Sequence, residues 1–419
     1  MTTNIRRSTD SVIATGAALE RKSFRANGHL VDSGIMKDIL DTIIREGGRF
    51  DITRFDIGKT NEDVSYLEAT FTAPNHTALE RIGRHLSNIG CELDFDATVQ
   101  TEIAPADGVA PDTFYTTTNN DTQVNIRGIF LPVNNIRMDG AIVISADDQS
   151  ARCVKQRDLK KGDRVVVGLD GIKVTPEFIE RDRSDFAFMT ADVSSERAVK
   201  TVVERVAELM RDKSRKVVAV AGPVIVHTGG GPAFCRLVEC GHIHGLLSGN
   251  ALAVHDIESQ LFGTSLGVNT RTGEAIEGGH SHHLRAINAV RRAGSIVNLV
   301  REGKLTAGVM NSLVTHQIPY ALAGSIRDDG PLPETITDMN RAQEAYGEIL
   351  EGAGICLMLS SMLHSIAVGN MLPARVITVC VDIHAPVVTK LRDRGSRQAI
   401  GVVTDVGLFL HLLADRLCG

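Results

Sequence analysis

Six apolar runs in the second half of the chain set the strongest constraint on its fold. They fall at residues 217–226, 246–247, 320–323, 355–359, 376–381 and 400–403. Small or polar residues follow each run at once, and stretches with helical spacing separate them. A sheet with one wet face would alternate apolar and polar residues. Uninterrupted runs joined by helices spell a parallel sheet covered on both faces. Ligands of such sheets bind where strands hand over to helices. The α/β pattern begins near Ser194 with a helix over 199–210, followed by Arg211, Lys213, Arg215 and Lys216.

The first part of the chain reads differently. Residues 23–31, 50–57, 65–73 and 91–95 have strand character, while 35–45 and 76–89 carry apolar residues at helical spacing. Gly47-Gly48 and Gly90 stop the two helices. The order β-α-β-β-α-β predicts a ferredoxin-like α+β domain over 23–98. Prolines at 105, 111, 132 and 176, the polar loop 116–120 and short β runs at 141–145 and 164–169 predict a small β-rich domain over 99–194. Residues 195–419 form the α/β domain. Arg6-Arg7 and the short apolar run 12–19 faintly suggest a signal peptide, but the run carries Thr and Gly and ends in Glu20-Arg21-Lys22. Residues 1–22 are therefore expected to be a disordered tail.

Composition removes several function classes. The 45 Lys and Arg against 51 Asp and Glu, with no Trp and only 4 Tyr, disfavour a nucleic-acid binder, which needs a basic face and stacking rings. No run approaches the ~18 apolar residues of a membrane helix. The seven cysteines are scattered, and Cys356 and Cys380 sit in apolar runs. A reducing, cytoplasmic setting follows.

Six polar segments fall at the ends of the apolar runs. The run through Val226 leads into His227-Thr228-Gly229-Gly230-Gly231-Pro232, where glycines and a helix N-terminus could cradle a pyrophosphate. Ser248-Gly249-Asn250-Ala251 is the second, residues 324–333 with Arg327, Asp328 and Asp329 the third, and Ser360 to Ser365 the fourth. Asp382 ends the fifth run, where a carboxylate could hold an adenosine ribose. Thr404-Asp405-Val406-Gly407 is the sixth. Together they predict a nucleotide site, although neither Gly-x-Gly-x-x-Gly nor a P-loop occurs.

Histidine is concentrated at His280, His282 and His283, with His242 and His244 upstream. No acidic residue or cysteine is spaced with them in a standard zinc pattern, so no metal is expected. Binding a substrate carboxylate or moving protons is the stronger expectation. A hydrolase of the Ser-His-Asp kind is disfavoured because no Gly-x-Ser-x-Gly elbow occurs.

Residues 227–232 (HTGGGP), 248–258 (SGNALAVHDIE), 323–333 (AGSIRDDGPLP), 362–375 (MLHSIAVGNMLPAR) and 376–396 resemble the archaeal-type ornithine cyclodeaminase family. The same region is similar to the C-terminal half of cyanobacterial arginine dihydrolases. Residues 28–36 and 160–174 resemble the conserved region of lysine–ketoglutarate reductase/saccharopine dehydrogenase enzymes. The resemblance spans roughly residues 23–417. It implies an NAD⁺ enzyme, a homo-oligomer of two or four subunits, that converts L-ornithine to L-proline and ammonia. It also implies a Rossmann-like domain similar to that of deoxyhypusine synthase. Family NAD contacts would map to Asn250, Ala251, Asp329, Ser361, Met362, Leu363, His364, Asp382, Asp405 and Val406; Gly229, Gly230 and Gly231 are added from the phosphate argument.

The implied reaction removes a hydride from Cα, closes a ring with the δ-amine, expels ammonia and returns the hydride, so net redox is zero. Arg327 or a histidine could bind the carboxylate. Asp328, His280, His282 or His283 could accept a proton, with Lys390 a weaker candidate. Two alternatives stay open: another NAD-dependent amino-acid or amine dehydrogenase or transferase, and a non-catalytic amino-acid-binding sensor.

Overall fold

A computed structural model of the chain describes residues 20–28, 30–31, 34–58, 63–94, 97–175, 196–265, 268–269, 280–328, 330–394 and 399–419. They gather into two compact units. One takes in the described residues up to 115, with 122–135 and 141–175; the other takes in 116–121, 136–140 and all those from 196 onward.

The first unit opens with β1 (Glu20–Gly28), α1 (Ile35–Arg45), β2 (Arg49–Asp56), β3 (Ser65–Ala73), α2 (His76–Asn88) and β4 (Glu92–Leu93). The sheet order is β2-β3-β1-β4, with antiparallel neighbours, which is the split βαβ order of a ferredoxin-like fold. Along β3, buried and half-buried residues alternate without a break. That alternation fixes its register, because a one-residue slip would turn every apolar side chain outward. The Asn75 side chain caps α2 by accepting from Ala78 N–H at 2.9 Å.

The strand β1 corrects the expected tail. Glu20, Arg21 and Lys22 pair with Ala73, Thr72 and Phe71, and Lys22 forms an ion pair with Asp170. A charged triplet that reads as the end of a tail is therefore strand, held by backbone pairing to β3. Residues 1–19 lie outside the described residues.

Seven strands form the second sheet of this unit: β5 (Gln100–Ile103), β6 (Asp121–Ile126), β7 (Ile129–Asn134), β8 (Gly140–Ile144), β9 (Ala151–Lys155), β10 (Arg164–Val167) and β11 (Ile172–Thr175). Their order is β11-β6-β7-β9-β8-β10-β5. Ala104, Ala141, Val143, Leu159 and Val165 pack in its core. Residues 176–195 of the expected β-rich region lie outside the described residues.

The second unit runs α3 (Glu196–Arg211), β12 (Lys216–Ala221), α4 (Val224–His227), α5 (Gly231–Glu239), β13 (Gly245–Gly249), α6 (Asn250–Phe262), β14 (Thr264–Ser265), β15 (Val268–Asn269), α7 (His280–Ala293), α8 (Ile296–Arg301) and α9 (Val309–Thr315). It continues with β16 (Tyr320–Ala323), β17 (Thr335–Ile336), α10 (Met339–Leu350), β18 (Ala353–Leu359), α11 (Met362–Met371), β19 (Ile377–Asp382), α12 (Ala385–Arg394), β20 (Ala399–Val403) and α13 (Val406–Cys418). The main sheet is parallel throughout, in the order β17-β16-β13-β12-β18-β19-β20. The chain starts in the middle, moves out through β13 and β16, then returns to lay β18, β19 and β20 on the other side. This is the doubly wound Rossmann order, with its reversal between β12 and β18.

Both faces of the sheet are covered, as the apolar runs require. Val217, Ala219 and Ala221 of β12 point into a layer with α3, α5, α6, α9 and α13, while Val218 and Val220 point into a layer with α10, α11 and α12. Burying Phe234 and Phe409 fully contributes about 1.5–3 kcal/mol each.

One strand reading is corrected here. The apolar run 217–226 is not a single strand: β12 stops at Ala221, Gly222-Pro223 turns the chain, and residues 224–227 form α4. Gly222 N–H donates to Leu359 C=O at 3.0 Å, which holds the turn against the end of β18. Among the described residues, no helix is long and apolar enough to cross a membrane.

Candidate functional site

The reversal between β12 and β18 places the end of β12 beside the ends of β13 and β18, where ligands of doubly wound sheets bind. Gly222 makes this corner possible. A Cβ on it would lie 2.4 Å from the Ser360 carbonyl oxygen. Ser360 itself takes φ 47°, a left-handed conformation uncommon outside glycine. Gly222 thus lets the chain leaving β12 meet the chain leaving β18 backbone to backbone.

Two helices leave the flanking strands without a side-chain cap. They are α6, preceded by Gly249, and α11, preceded by Ser361. By contrast, Asn75 caps α2 and Asp405 caps α13. First-turn N–H groups without a side-chain partner are suited to anionic oxygens. Asn250 and Ala251 open α6, and Met362, Leu363 and His364 open α11.

The side chains below this edge are held firmly. Ser248 Oγ donates to the Ala221 carbonyl at 2.6 Å, and Tyr346 Oη donates to the Ser248 carbonyl at 2.7 Å. Ser361 Oγ lies 3.0 Å from His364 Nδ1, and the Tyr346 and His364 rings are 6.3 Å apart. Burial holds the His364 imidazole below its ordinary pKa, although the Asp328 carboxylate pulls it upward. His364 therefore enters neutral pH uncharged.

The buried Asn250 side chain also holds a loop in place. Its Oδ1 accepts from Leu332 N–H at 3.0 Å and Thr335 Oγ1 at 2.8 Å, pinning the β16–β17 loop. That loop presents Arg327, exposed, and Asp328, half-buried, whose carboxylate accepts from Ser325 N–H at 2.8 Å. Asp329 lies outside the described residues. Large apolar side chains stand in solvent at these strand ends: Ile326, Met362, Leu363 and Ile383 are all exposed. Exposed apolar side chains at strand ends offer apolar surface to the rings of a nucleotide.

Asp382 ends β19, one strand beyond the reversal. One carboxylate oxygen accepts from His384 N–H at 2.8 Å. Asp405 follows β20 and its carboxylate accepts from Leu408 N–H at 2.9 Å, so its visible role is a helix cap; Val406 is buried behind it.

The three glycines sit elsewhere than expected. With β12 ending at Ala221, α4 intervenes before Gly229, Gly230 and Gly231. A Cβ on Gly230 would lie 3.1 Å from Gly407 Cα and 3.0 Å from Leu410, and His411 Nε2 is 3.1 Å from the Gly229 carbonyl oxygen. Gly230 lets the α4–α5 corner pack against α13.

A second polar centre gathers around Glu258. Its side chain is fully buried on α6. His255 Nδ1 lies 3.7 Å and His283 Nδ1 3.6 Å from Glu258 Oε2, while Thr264 Oγ1 donates to Oε1 at 2.8 Å. Ser265 Oγ lies 3.1 Å from His227 Nδ1 and 3.3 Å from His255 Nδ1. Burial lowers the His227 pKa, with nearby His255 adding to the effect and Glu258 opposing it. His282 stacks on Phe262 and reaches Thr264 Oγ1 at 2.9 Å. His280 opens α7.

The expected catalytic residues thus divide between two places: Arg327 and Asp328 on the β16–β17 loop, His282 and His283 against α6. Lys390 is exposed on α12. His244 is structural, accepting from Val217 N–H at 3.1 Å. Sequence reasoning passed over Gly222, His255 and Glu258. One signal for the last two existed: α6 is polar at 250, 255, 256 and 258 yet follows directly on a buried strand, and all four are buried.

Residues 200–413 match the family model described as arginine dihydrolase ArgZ-like, C-terminal, Rossmann fold. Residues 121–203 match its first C-terminal region, and 21–120 the LOR/SDH bifunctional enzyme conserved region. The ornithine cyclodeaminase of Methanocaldococcus jannaschii is 46% identical over 94% of this chain and 96% of its own length. The bifunctional arginine dihydrolase/ornithine cyclodeaminase AgrE of Nostoc is 49% identical over 95% of this chain, which spans 58% of that relative's length. A crystal structure of AgrE in a ternary complex with ornithine and NAD⁺ matches with a TM-score of 0.52 and 46% identity, covering 98% of this chain and 59% of that one.

Proposed function

The chain belongs to the family that the archaeal ornithine cyclodeaminases form with the C-terminal regions of ArgZ-like arginine dihydrolases, and from that premise we propose that it is an NAD⁺-dependent ornithine cyclodeaminase. The observation that carries this reading is the corner at Gly222, where two uncapped helix N-termini flank β12 at the reversal of a doubly wound sheet. Those N–H groups suit a pyrophosphate, and Asp382 suits a ribose hydroxyl. The deoxyhypusine-synthase-like character of the nucleotide domain, a homo-oligomer of two or four subunits and a cytoplasmic location complete the proposal.

When bound, NAD⁺ supplies the chemistry of taking a hydride from Cα of L-ornithine and giving it back after ring closure and loss of ammonia. The chain's own residues have three tasks. Arg327, exposed on the β16–β17 loop, binds the substrate carboxylate through its planar fork of donors. Asp328 on the same loop accepts a proton from the substrate amine, since His282 and His283 are turned toward Thr264 and Glu258. His364, kept neutral by burial, adds no second positive charge beside the substrate ammonium. Met362, Leu363 and Ile326 exclude water once a nucleotide covers them.

The test is incubation of the pure protein with L-ornithine and NAD⁺. Proline and ammonia should form in equal amounts with no lasting rise in NADH absorbance. NADH accumulating in step with product would make it a net dehydrogenase. Ornithine binding without turnover would make it a sensor.

A further inference from the structure

The centre around Glu258 has features that the cyclodeaminase reaction does not require. Two imidazoles from different helices, His255 on α6 and His283 on α7, aim Nδ1 at the same carboxylate oxygen. Their distances of 3.7 and 3.6 Å are too long for hydrogen bonds. They are close to the edge of a small tetrahedron: ligands at ~2.0–2.1 Å from a zinc-sized ion stand ~3.4 Å apart. One ligand atom from each of the three side chains lies within 4.8 Å of the others.

The surroundings strengthen this geometry. The Glu258 side chain is 0% and that of His255 only 7% exposed, so water cannot solvate the carboxylate. His283 Nδ1 is buried without a hydrogen-bond partner among the described residues. Thr264 takes Oε1 and thereby fixes which oxygen, Oε2, faces the imidazoles. Thr264 in turn reaches His282, as an outer shell that orients a ligating carboxylate does.

We propose that His255, Glu258 and His283 bind a divalent transition-metal ion of the zinc class. Two imidazoles and one carboxylate suit zinc, cobalt or nickel and do not suit magnesium or calcium, which take oxygen ligands. Coordination takes His255 Nδ1 from its 3.3 Å contact with Ser265 Oγ, and three protein ligands leave a fourth position for water. The ion ties α6 to α7 across β14. The proposal goes beyond the cyclodeaminase reading and is independent of it, because metal binding is read without turnover.

The experiment uses untagged full-length protein made in zinc-supplemented medium and passed through gel filtration. About one Zn²⁺ per chain should remain by elemental analysis. Protein stripped of metal and titrated with Co²⁺ should develop the visible absorption of a tetrahedral site. His283→Ala and Glu258→Gln should each weaken the affinity at least about tenfold. His364→Ala, a histidine change elsewhere in the same unit, should leave it unchanged. No retained zinc together with no cobalt spectrum would overturn the site, as would both variants binding like wild type. Should a variant fail to melt cooperatively, anomalous scattering at the zinc edge from crystals of the unaltered chain decides. A peak between the three side chains supports the site, and a peak anywhere else overturns it.

Discussion

A methyl group placed on Gly249 would stand 3.0 Å from Cε1 and 3.3 Å from Nε2 of His364. The last residue of β13 and the first turn of α11 are therefore in closest packing across the end of β12. Gly249→Ala must push the imidazole aside, and with it the hydrogen bond between His364 and Ser361. Overpacking of this kind costs about 1–3 kcal/mol. Calorimetry should show NAD⁺ binding about tenfold weaker, and the melting temperature should fall by a few degrees. Undiminished affinity would remove His364 from the cofactor site.

Asp382 is expected to set the choice between NAD and NADP. A 2′-phosphate next to its carboxylate would bring like charges together. Asp382→Ala should weaken NAD⁺ binding by roughly 1–3 kcal/mol, the range for losing hydrogen bonds to a charged group. NADP⁺ should lose less, so the ratio of the two dissociation constants narrows. If both cofactors weaken equally, the residue acts only through its bond to His384 N–H.

Asp256 gives the chain a pH signature. Burial raises its carboxyl to about 6, although Val309 N–H and Met310 N–H donate to it and oppose the shift. An unfolded aspartate titrates near ~3.9. Between those values the folded state holds more protons than the unfolded state, so this group's contribution to stability falls as pH rises. The two-unit difference amounts to about 3 kcal/mol, fully felt above pH ~7. Asp256→Asn should therefore gain on wild type by about that much between pH 4 and pH 7 in urea unfolding. A difference that does not vary with pH would mean the carboxylate is not desolvated.

Ornithine deuterated at Cα should yield proline that keeps the deuterium at Cα, and turnover should slow if hydride transfer limits the rate. A closed, dry site protects both the reduced cofactor and the imine. Mass spectrometry of the product decides. Proline without the label would mean cofactor exchange or removal of the Cα hydrogen as a proton, and the internal redox cycle would fail.

Local periodicity made much of this fold legible. The alternation along β3 gave its limits, 65–73, without error. The run 217–226 misled because a continuous apolar stretch reads the same as buried strand or buried helix; only Gly222-Pro223 marks the change. The strand order was not legible, since it depends on which helices cross which face. The site divides in the same way. Ser361 to His364 and Asp382 could be placed by the rule that sites follow strand ends. Asn250 could be placed too, but not its hold on Leu332 and Thr335, which lie more than eighty residues away in sequence. The packing role of Gly230 was not legible, because its partners, Gly407 and Leu410, are nearly two hundred residues away. Glu258 escaped notice for a similar reason: its neighbours come from α6, β14 and α7.

The unit that carries the parallel sheet is not one continuous stretch of chain. Residues 116–121 and 136–140 belong to it, with Ala374 N–H donating to the Asn119 carbonyl at 2.8 Å and Met138 N–H to the Asn370 carbonyl at 3.2 Å. Those bonds anchor the segment that leaves α11 and leads into β19. A gene fragment beginning at Glu196 would encode all seven strands of the parallel sheet and still lack the peptide groups that hold this segment. The parallel-sheet unit is therefore not a single transplantable stretch of chain. Recombination that moved it into another protein would have to carry the message from about residue 116 onward, bringing most of the β-rich region along as passenger.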